Sequence, residues 1–403
     1  MVMQQGPGRP VPVVFTGTRR ELGGLLLRGY LLLLPTIGLY RFWLLTWKRR
    51  FYWSNTEIDG DSLEYTGNAM QLLLGFLMAL AVFLPFYVVF FYLSTLSTDA
   101  AIIGYGGIGV ALWFLMGYAI YRARDFRFSR TLWRGIRFDQ TGNGWAYALR
   151  RFGWSLLMIV TAGLVYPFMA ASLWRYRYGH SWYGDLRFGF VGSWKQLAAQ
   201  YYLTYVAVVI IGAIAAGVGL AMDVVPAGGE FNPLGLVPLG IGALLIALLA
   251  LRYQARELSR MYSSVRLGSA VVTVTVTGRA LFGQYVLCGL ALLGAFVLLA
   301  IGGFVVLGLV ANEAFAGGFD PEIFFRYMQG SLITLIAIIF GYLLILGAFT
   351  MMTELFIGLG YWKLIASGAS IAGADSLRGV RARSEDKALA GEGLADALNV
   401  GAY

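Results

Sequence analysis

The chain has one cysteine and one histidine in 403 residues, Cys288 and His180. A lone cysteine closes no intramolecular disulfide, which excludes a disulfide-stapled secreted domain. No Gly-x-Ser-x-Gly, phosphate-loop or His-Glu-x-x-His pattern occurs, and His180 has no cysteine or carboxylate beside it at metal spacing. The nucleophile–base pairs and ligand sets of enzymes are therefore missing, and the sequence predicts no enzyme, no metal and no cofactor. Charge is scarce too. Charged residues make 13% of the chain and apolar ones 59%, against about a quarter and about a half in soluble domains. A soluble enzyme and a disordered chain are both excluded, and a membrane protein is expected.

What the chain does have is long apolar runs. Crossing about 30 Å of hydrocarbon takes about 20 residues, and candidate segments lie near 24–46, 70–96, 101–121, 153–174, 197–222, 234–252, 281–311 and 331–356. The first run leads straight into Tyr40-Arg41-Phe42-Trp43 without a small-residue cleavage site, so no cleaved signal peptide is expected.

The 31 basic side chains, ten more than the acidic ones, then decide orientation, because basic loops stay cytoplasmic. If all the segments cross, the arginine-rich connection from Arg122 to Arg151 faces outward. If 24–46 and 153–174 turn back instead, only Arg326 falls on the far side. Both segments carry a mid-run breaker, Pro35 and Pro167, where a missing donor favours a bend. The expected fold is an all-α polytopic membrane protein. It has six transmembrane helices plus two proline-broken re-entrant or interfacial helical hairpins, with short β-hairpins forming a small cytoplasmic layer. Both termini are expected on the cytoplasmic side of a bacterial inner membrane, with Pro35 and Pro167 as candidate hinges.

Internal similarity organises the connections. Thr56–Gly60–Gly67, Thr131–Gly135–Gly142, Ser181–Gly184–Gly192 and Ser264–Gly268–Gly278 share a pattern: hydroxyl, glycine, alternating stretch, glycine. The period-two stretches suggest short strands, and Val13-Val14-Phe15-Thr16-Gly17 matches the second half of such a hairpin, so five strand pieces can share a sheet. We divide the chain into repeat A (1–121), repeat B (122–252), a divergent repeat C (253–366) and a cytoplasmic tail (367–403). The order Phe15-Thr16-Gly17, Pro35, Trp47-Lys48-Arg49-Arg50 and Asn55-Thr56, echoed by Arg130-Thr131, Tyr166-Pro167 and His180-Ser181, resembles the YjgN family of bacterial inner-membrane proteins. The tail Gly391-Glu392-Gly393-Leu394 also resembles that family's acidic ending. The resemblance implies a location and an architecture and carries over no catalytic residue.

The remaining candidates are ionisable groups within or beside the apolar segments, where a charge must be paired or hydrated. Arg28 and Arg41 flank the first hairpin and Glu354 lies near the end of the last span. Arg122, Arg124, Arg175 and Arg177 sit among aromatics beside spans. All seven are candidate lipid or solute contacts. Anionic lipid is the expected partner and nucleic acid is not, since each basic patch abuts a span; a homo-oligomer or a membrane-protein partner is also compatible. Two functions follow: a transporter- or channel-like protein with a site near the broken hairpins, or a non-enzymatic membrane-organising or interaction protein that binds anionic lipid or a partner through its basic face.

Overall fold

The computed structural model describes residues 10–222, 224, 232–310, 322 and 332–383. The acidic tail motif and Arg326 lie outside the described residues. The chain starts with strand β1 (Val11–Phe15) and a helical hairpin, α1 (Arg19–Leu33) and α2 (Arg41–Ser54). Strands β2 (Thr56–Ile58) and β3 (Asp61–Tyr65) follow, then the long pair α3 (Ala69–Ser94) and α4 (Thr98–Ser129). Next come β4 (Thr131–Trp133), β5 (Ile136–Gln140) and a second short hairpin, α5 (Gly144–Val160) and α6 (Tyr166–Gly179). Strands β6 (Ser181–Tyr183) and β7 (Leu186–Phe190) lead to α7 (Lys195–Ala221) and α8 (Leu236–Tyr262). After β8 (Val265–Leu267) and β9 (Ala270–Val274) lie α9 (Gly278–Val310), α10 (Leu332–Met352), a π-helical turn (Thr353–Gly358) and α11 (Leu359–Ser367). Strand β10 (Ala369–Ala372) and a 3-10 turn (Ala374–Gly379) end the described chain.

The strands correct the all-α expectation. All ten pair antiparallel with their sequence neighbours, and β1 pairs with both β2 and β10, so the sheet closes into a barrel. The sequence suggests strand pieces sharing a sheet but hides closure. Strands of three to five residues carry little periodicity, and β10, Ala369-Ser370-Ile371-Ala372, falls in the stretch read as the cytoplasmic tail. Closure follows from edge chemistry, since an open ladder of unpaired N–H and C=O groups is satisfied only when the last strand meets the first.

Tight turns join the strands at one end of the barrel, and helix pairs join them at the other. Asp59-Gly60 and Arg134-Gly135 take positive φ at both positions, the backbone whose twist matches an antiparallel pair. Trp133, Tyr183, Leu267 and Ala270 are buried in one cluster, flanked by Ile58, Leu63, Phe138, Phe188 and Ile371, and Leu377 of the 3-10 turn packs into it. The barrel is thus filled by side chains. At the helix end, a buried hydroxyl starts three of the strands, Thr56, Thr131 and Ser181, and a fourth, Ser264, immediately precedes β8. Each donates to the carbonyl four residues back, in the preceding helix, at 2.7–2.8 Å. Three receive a further bond from another helix, Thr56 from Trp362 Nε1, Thr131 from Trp53 Nε1 and Ser181 from Arg124 Nη1. These bonds seat the bundle on the barrel rim.

Among the described residues six helices are long and apolar enough to cross a membrane: α3, α4, α7, α8, α9 and the continuous stretch from α10 into α11. The chain is a multi-pass membrane protein. The helices of the two short hairpins are 14 to 17 residues long, about 21–25 Å at 1.5 Å per residue. Both hairpins reverse in the same way. Ile37-Gly38 and Ala162-Gly163 take positive φ, with Gly38 N–H donating to Leu33 O at 2.8 Å and Gly163 N–H to Met158 O at 2.7 Å. This six-to-one bond satisfies the last carbonyls of a helix before the chain turns. Pro35 lies in the first reversal and Pro167 in the first turn of α6, where its missing N–H costs nothing.

Candidate functional site

The first hairpin forms a groove of about 750 Å³ between its arms, lined by Arg20, Glu21, Arg28, Tyr40 and Trp47 among others. Local chemistry fixes its entrance. Thr18 caps α1 by accepting from the Glu21 backbone N–H at 3.3 Å, and the Glu21 carboxylate accepts from the Thr18 N–H at 3.1 Å. This capping box commits the groove's own acidic group to the backbone. Among the described residues neither Arg20 nor Arg28 has a carboxylate partner. Both are exposed, as is Trp47. Gly29 lets α2 approach closely, since a Cβ there would lie 2.3 Å from the Leu44 side chain.

Glu354 stands at the foot of this hairpin. It bonds Lys48 Nζ at 3.1 Å and Tyr52 Oη at 2.8 Å. The π turn that carries it shifts the helix register locally, and Gly358 leaves room for its carboxylate, which lies 2.9 Å from where a Cβ would stand. Lys48 and Tyr52 are partners that sequence reasoning missed. Lys48 lay in a basic run that reads as surface, and no local spacing links it to a residue some 300 positions away.

The other candidates separate. Arg41 is exposed, its guanidinium 5.7 Å from the Phe42 ring centroid. Arg122 pairs with Asp125 at 3.0 Å, and Arg175 donates to Gly192 O at 3.1 Å. Arg124 and Arg177 come together, both half-buried, Arg124 Nη1 lying 3.2 Å from the Arg177 carbonyl. His180 is structural, its Nδ1 2.7 Å from Tyr176 O and its ring tilted against Tyr176 with centroids 4.4 Å apart. Cys288 is buried near Met352 O. Among the described residues no three His, Cys, Asp or Glu side chains gather as a metal site needs.

A second polar region lies against the second hairpin. Tyr201, Tyr202 and Tyr205 of α7 donate to the carbonyls of Gly163, Leu164 and Ala162 in the α5–α6 turn, at 2.7, 3.1 and 2.9 Å. Tyr166, first in α6, donates to the Glu257 carboxylate of α8 at 2.8 Å. The hairpin tip is therefore bound beside the first three turns of α7.

At the turn end of the barrel, Arg134 donates to Asp59 at 2.7 Å and to Asp61 at 2.5 Å. The Arg134 hydrogen bond holds the Asp59 carboxyl below the usual range, with help from Arg378. Burial opposes the charge of Arg134, but its two carboxylate partners outweigh that and raise its pKa. Burial inside the barrel pushes the Tyr183 hydroxyl up to about 12.

The family described as bacterial proteins of unknown function (DUF898) matches residues 10–293. The chain belongs to this family. The DUF898 match takes in β1 through β9 and ends within α9, so the barrel's closing strand lies beyond it. It agrees with the YjgN resemblance, which points to the same uncharacterised bacterial family. No curated protein and no solved structure matches the chain.

Proposed function

We propose that the protein is a non-enzymatic membrane-organising or interaction protein of the bacterial inner membrane that gathers anionic lipid at the cytoplasmic leaflet. The observation that carries this reading is the groove of the first hairpin, where Arg20 and Arg28, without carboxylate partners, stand beside Tyr40 and Trp47. Arginine with amphipathic aromatics suits the headgroup level, where each base near an anionic surface contributes about 1 kcal/mol. The barrel end, with its basic connections, faces the cytoplasm on this reading, and both termini lie on that side.

The short hairpins fit as re-entrant elements. The arms, of 14 to 17 residues, are shorter than the roughly 20 a spanning helix needs, and the tyrosine clamp holds one tip about 9–15 Å along α7 from its start. The broken hairpins also suit a transporter. A solute path along the molecular axis, however, meets a barrel core filled by Trp133, Tyr183, Leu267 and Leu377, which favours the organising role.

The test is lipid retention. Full-length protein extracted in mild detergent is examined by native mass spectrometry for bound phosphatidylglycerol and phosphatidylethanolamine. Arg20→Gln/Arg28→Gln is expected to lower phosphatidylglycerol retention several-fold with phosphatidylethanolamine unchanged. Equal retention in wild type and variant refutes the reading.

A further inference from the structure

Two half-buried arginines meet without an acid. Arg124 of α4 spends one nitrogen on three neutral acceptors: Gln140 Oε1 at 2.8 Å, Ser181 Oγ at 3.0 Å and Arg177 O at 3.2 Å. Its guanidinium lies between the Phe128 and Tyr178 rings, 4.4 and 4.7 Å from their centroids, and its buried Nη2 has no hydrogen-bond partner. The Arg177 guanidinium makes no hydrogen bond or ion pair among the described residues. It rests over Trp174 at 5.1 Å with its Nε buried and unpartnered. The nearest acid in sequence, Asp125, is committed to Arg122. Glu257, one helix over, is bonded to Tyr166. Arg124, Arg177 and Tyr262 are each half-buried, so the pair remains within reach of a ligand from the surface.

Burying one unpaired charge is unfavourable, and two of like sign repel as well, so such groups are normally paired or bind a counter-ion. Aromatic faces offset part of this for each guanidinium but leave Arg124 Nη2 and Arg177 Nε unmatched. Planar guanidinium forks suit the oxygens of a phosphoryl group, and the hydroxyls of Tyr178 and Tyr262 add neutral donors nearby.

We propose that Arg124 and Arg177 form a half-buried binding site for a phosphoryl oxyanion at the junction of barrel and bundle. This site is separate from the hairpin groove and stands whether or not that groove binds lipid. The same chemistry accepts a free phosphate or the phosphate of a lipid headgroup that enters between helices. A bound anion would tie α4 to α6, and the Ser181 bond already couples Arg124 to the start of β6.

The experiment titrates full-length protein in neutral detergent with inorganic phosphate and, separately, with dioctanoyl phosphatidylglycerol, following the unfolding temperature by intrinsic fluorescence. We expect one of the two to raise the unfolding temperature saturably. Saturation by phosphate identifies the free ion as the source, and saturation by the lipid alone identifies the headgroup. Arg177→Gln removes no hydrogen bond of the folded protein, so it should leave the ligand-free unfolding temperature unchanged or higher and weaken binding about tenfold or more. Arg177→Lys, which keeps the charge, should weaken it less. Arg20→Gln/Arg28→Gln should leave this response intact. No response of the wild type to either probe overturns the proposal, and so does an Arg177→Gln response equal to that of the wild type.

Discussion

Arg134 and Asp59 show how one ion pair joins three separate pieces of the chain. Arg134 sits in the β4–β5 turn at φ 52° and binds Asp59 and Asp61 of the preceding hairpin, and Asp59 also faces Arg378 at 3.7 Å. Because the folded Asp59 carboxyl lies below its unfolded value, it contributes stability that is fully present above about pH 4. That contribution is lost as pH falls through the folded pKa. Arg134→Gln is expected to lower the unfolding temperature at pH 7 and to flatten its decline between pH 5 and pH 3. Thermal melts of both proteins across that range check it, and parallel curves would refute the linkage.

The second hairpin is an element whose strength lies in a few bonds. Its six-to-one turn bond closes α5, and three tyrosine hydroxyls of α7 hold the turn carbonyls. In an apolar surrounding each such bond contributes about 0.5–1 kcal/mol. The triple variant Tyr201→Phe/Tyr202→Phe/Tyr205→Phe keeps the rings and removes the donors. It should raise amide exchange across residues 159–166 with little change in β6 or β7, as read by hydrogen-exchange mass spectrometry. Uniform exchange across the protein would mean that the tip is not held locally.

Across the whole molecule, the reading of the short hairpins as re-entrant can be tested by which side each turn faces. With Cys288→Ser as background, Thr18→Cys and Arg50→Cys, both at exposed positions on either side of the first hairpin, should react with an impermeant thiol reagent from one side of inverted vesicles. Leu96→Cys, exposed in the α3–α4 turn, should react from the other. Opposite labelling of Thr18→Cys and Arg50→Cys would make the first hairpin a complete crossing and remove the support for the groove's position at the cytoplasmic leaflet.

Much of this architecture is written locally. Apolar length marks the six long helices, the breakers at Pro35 and Gly163-Leu164-Val165-Tyr166-Pro167 mark the two reversals, and the glycines at 60, 135, 184 and 268 mark the tight turns, because each signal depends on a few adjacent residues. The hydroxyls Thr56, Thr131, Ser181 and Ser264 are visible in the sequence as a pattern, but their work of bonding one helix end, and for the first three of receiving another helix's side chain, depends on neighbours brought from elsewhere. Glu354 with Lys48, and Arg124 beside Arg177, were legible only as separate charges. Barrel closure and these pairings were decided by tertiary structure alone. A strand of four residues such as Ala369–Ala372 has no stability of its own, and becomes a strand only where the free edges of β9 and β1 stand on either side to receive its hydrogen bonds.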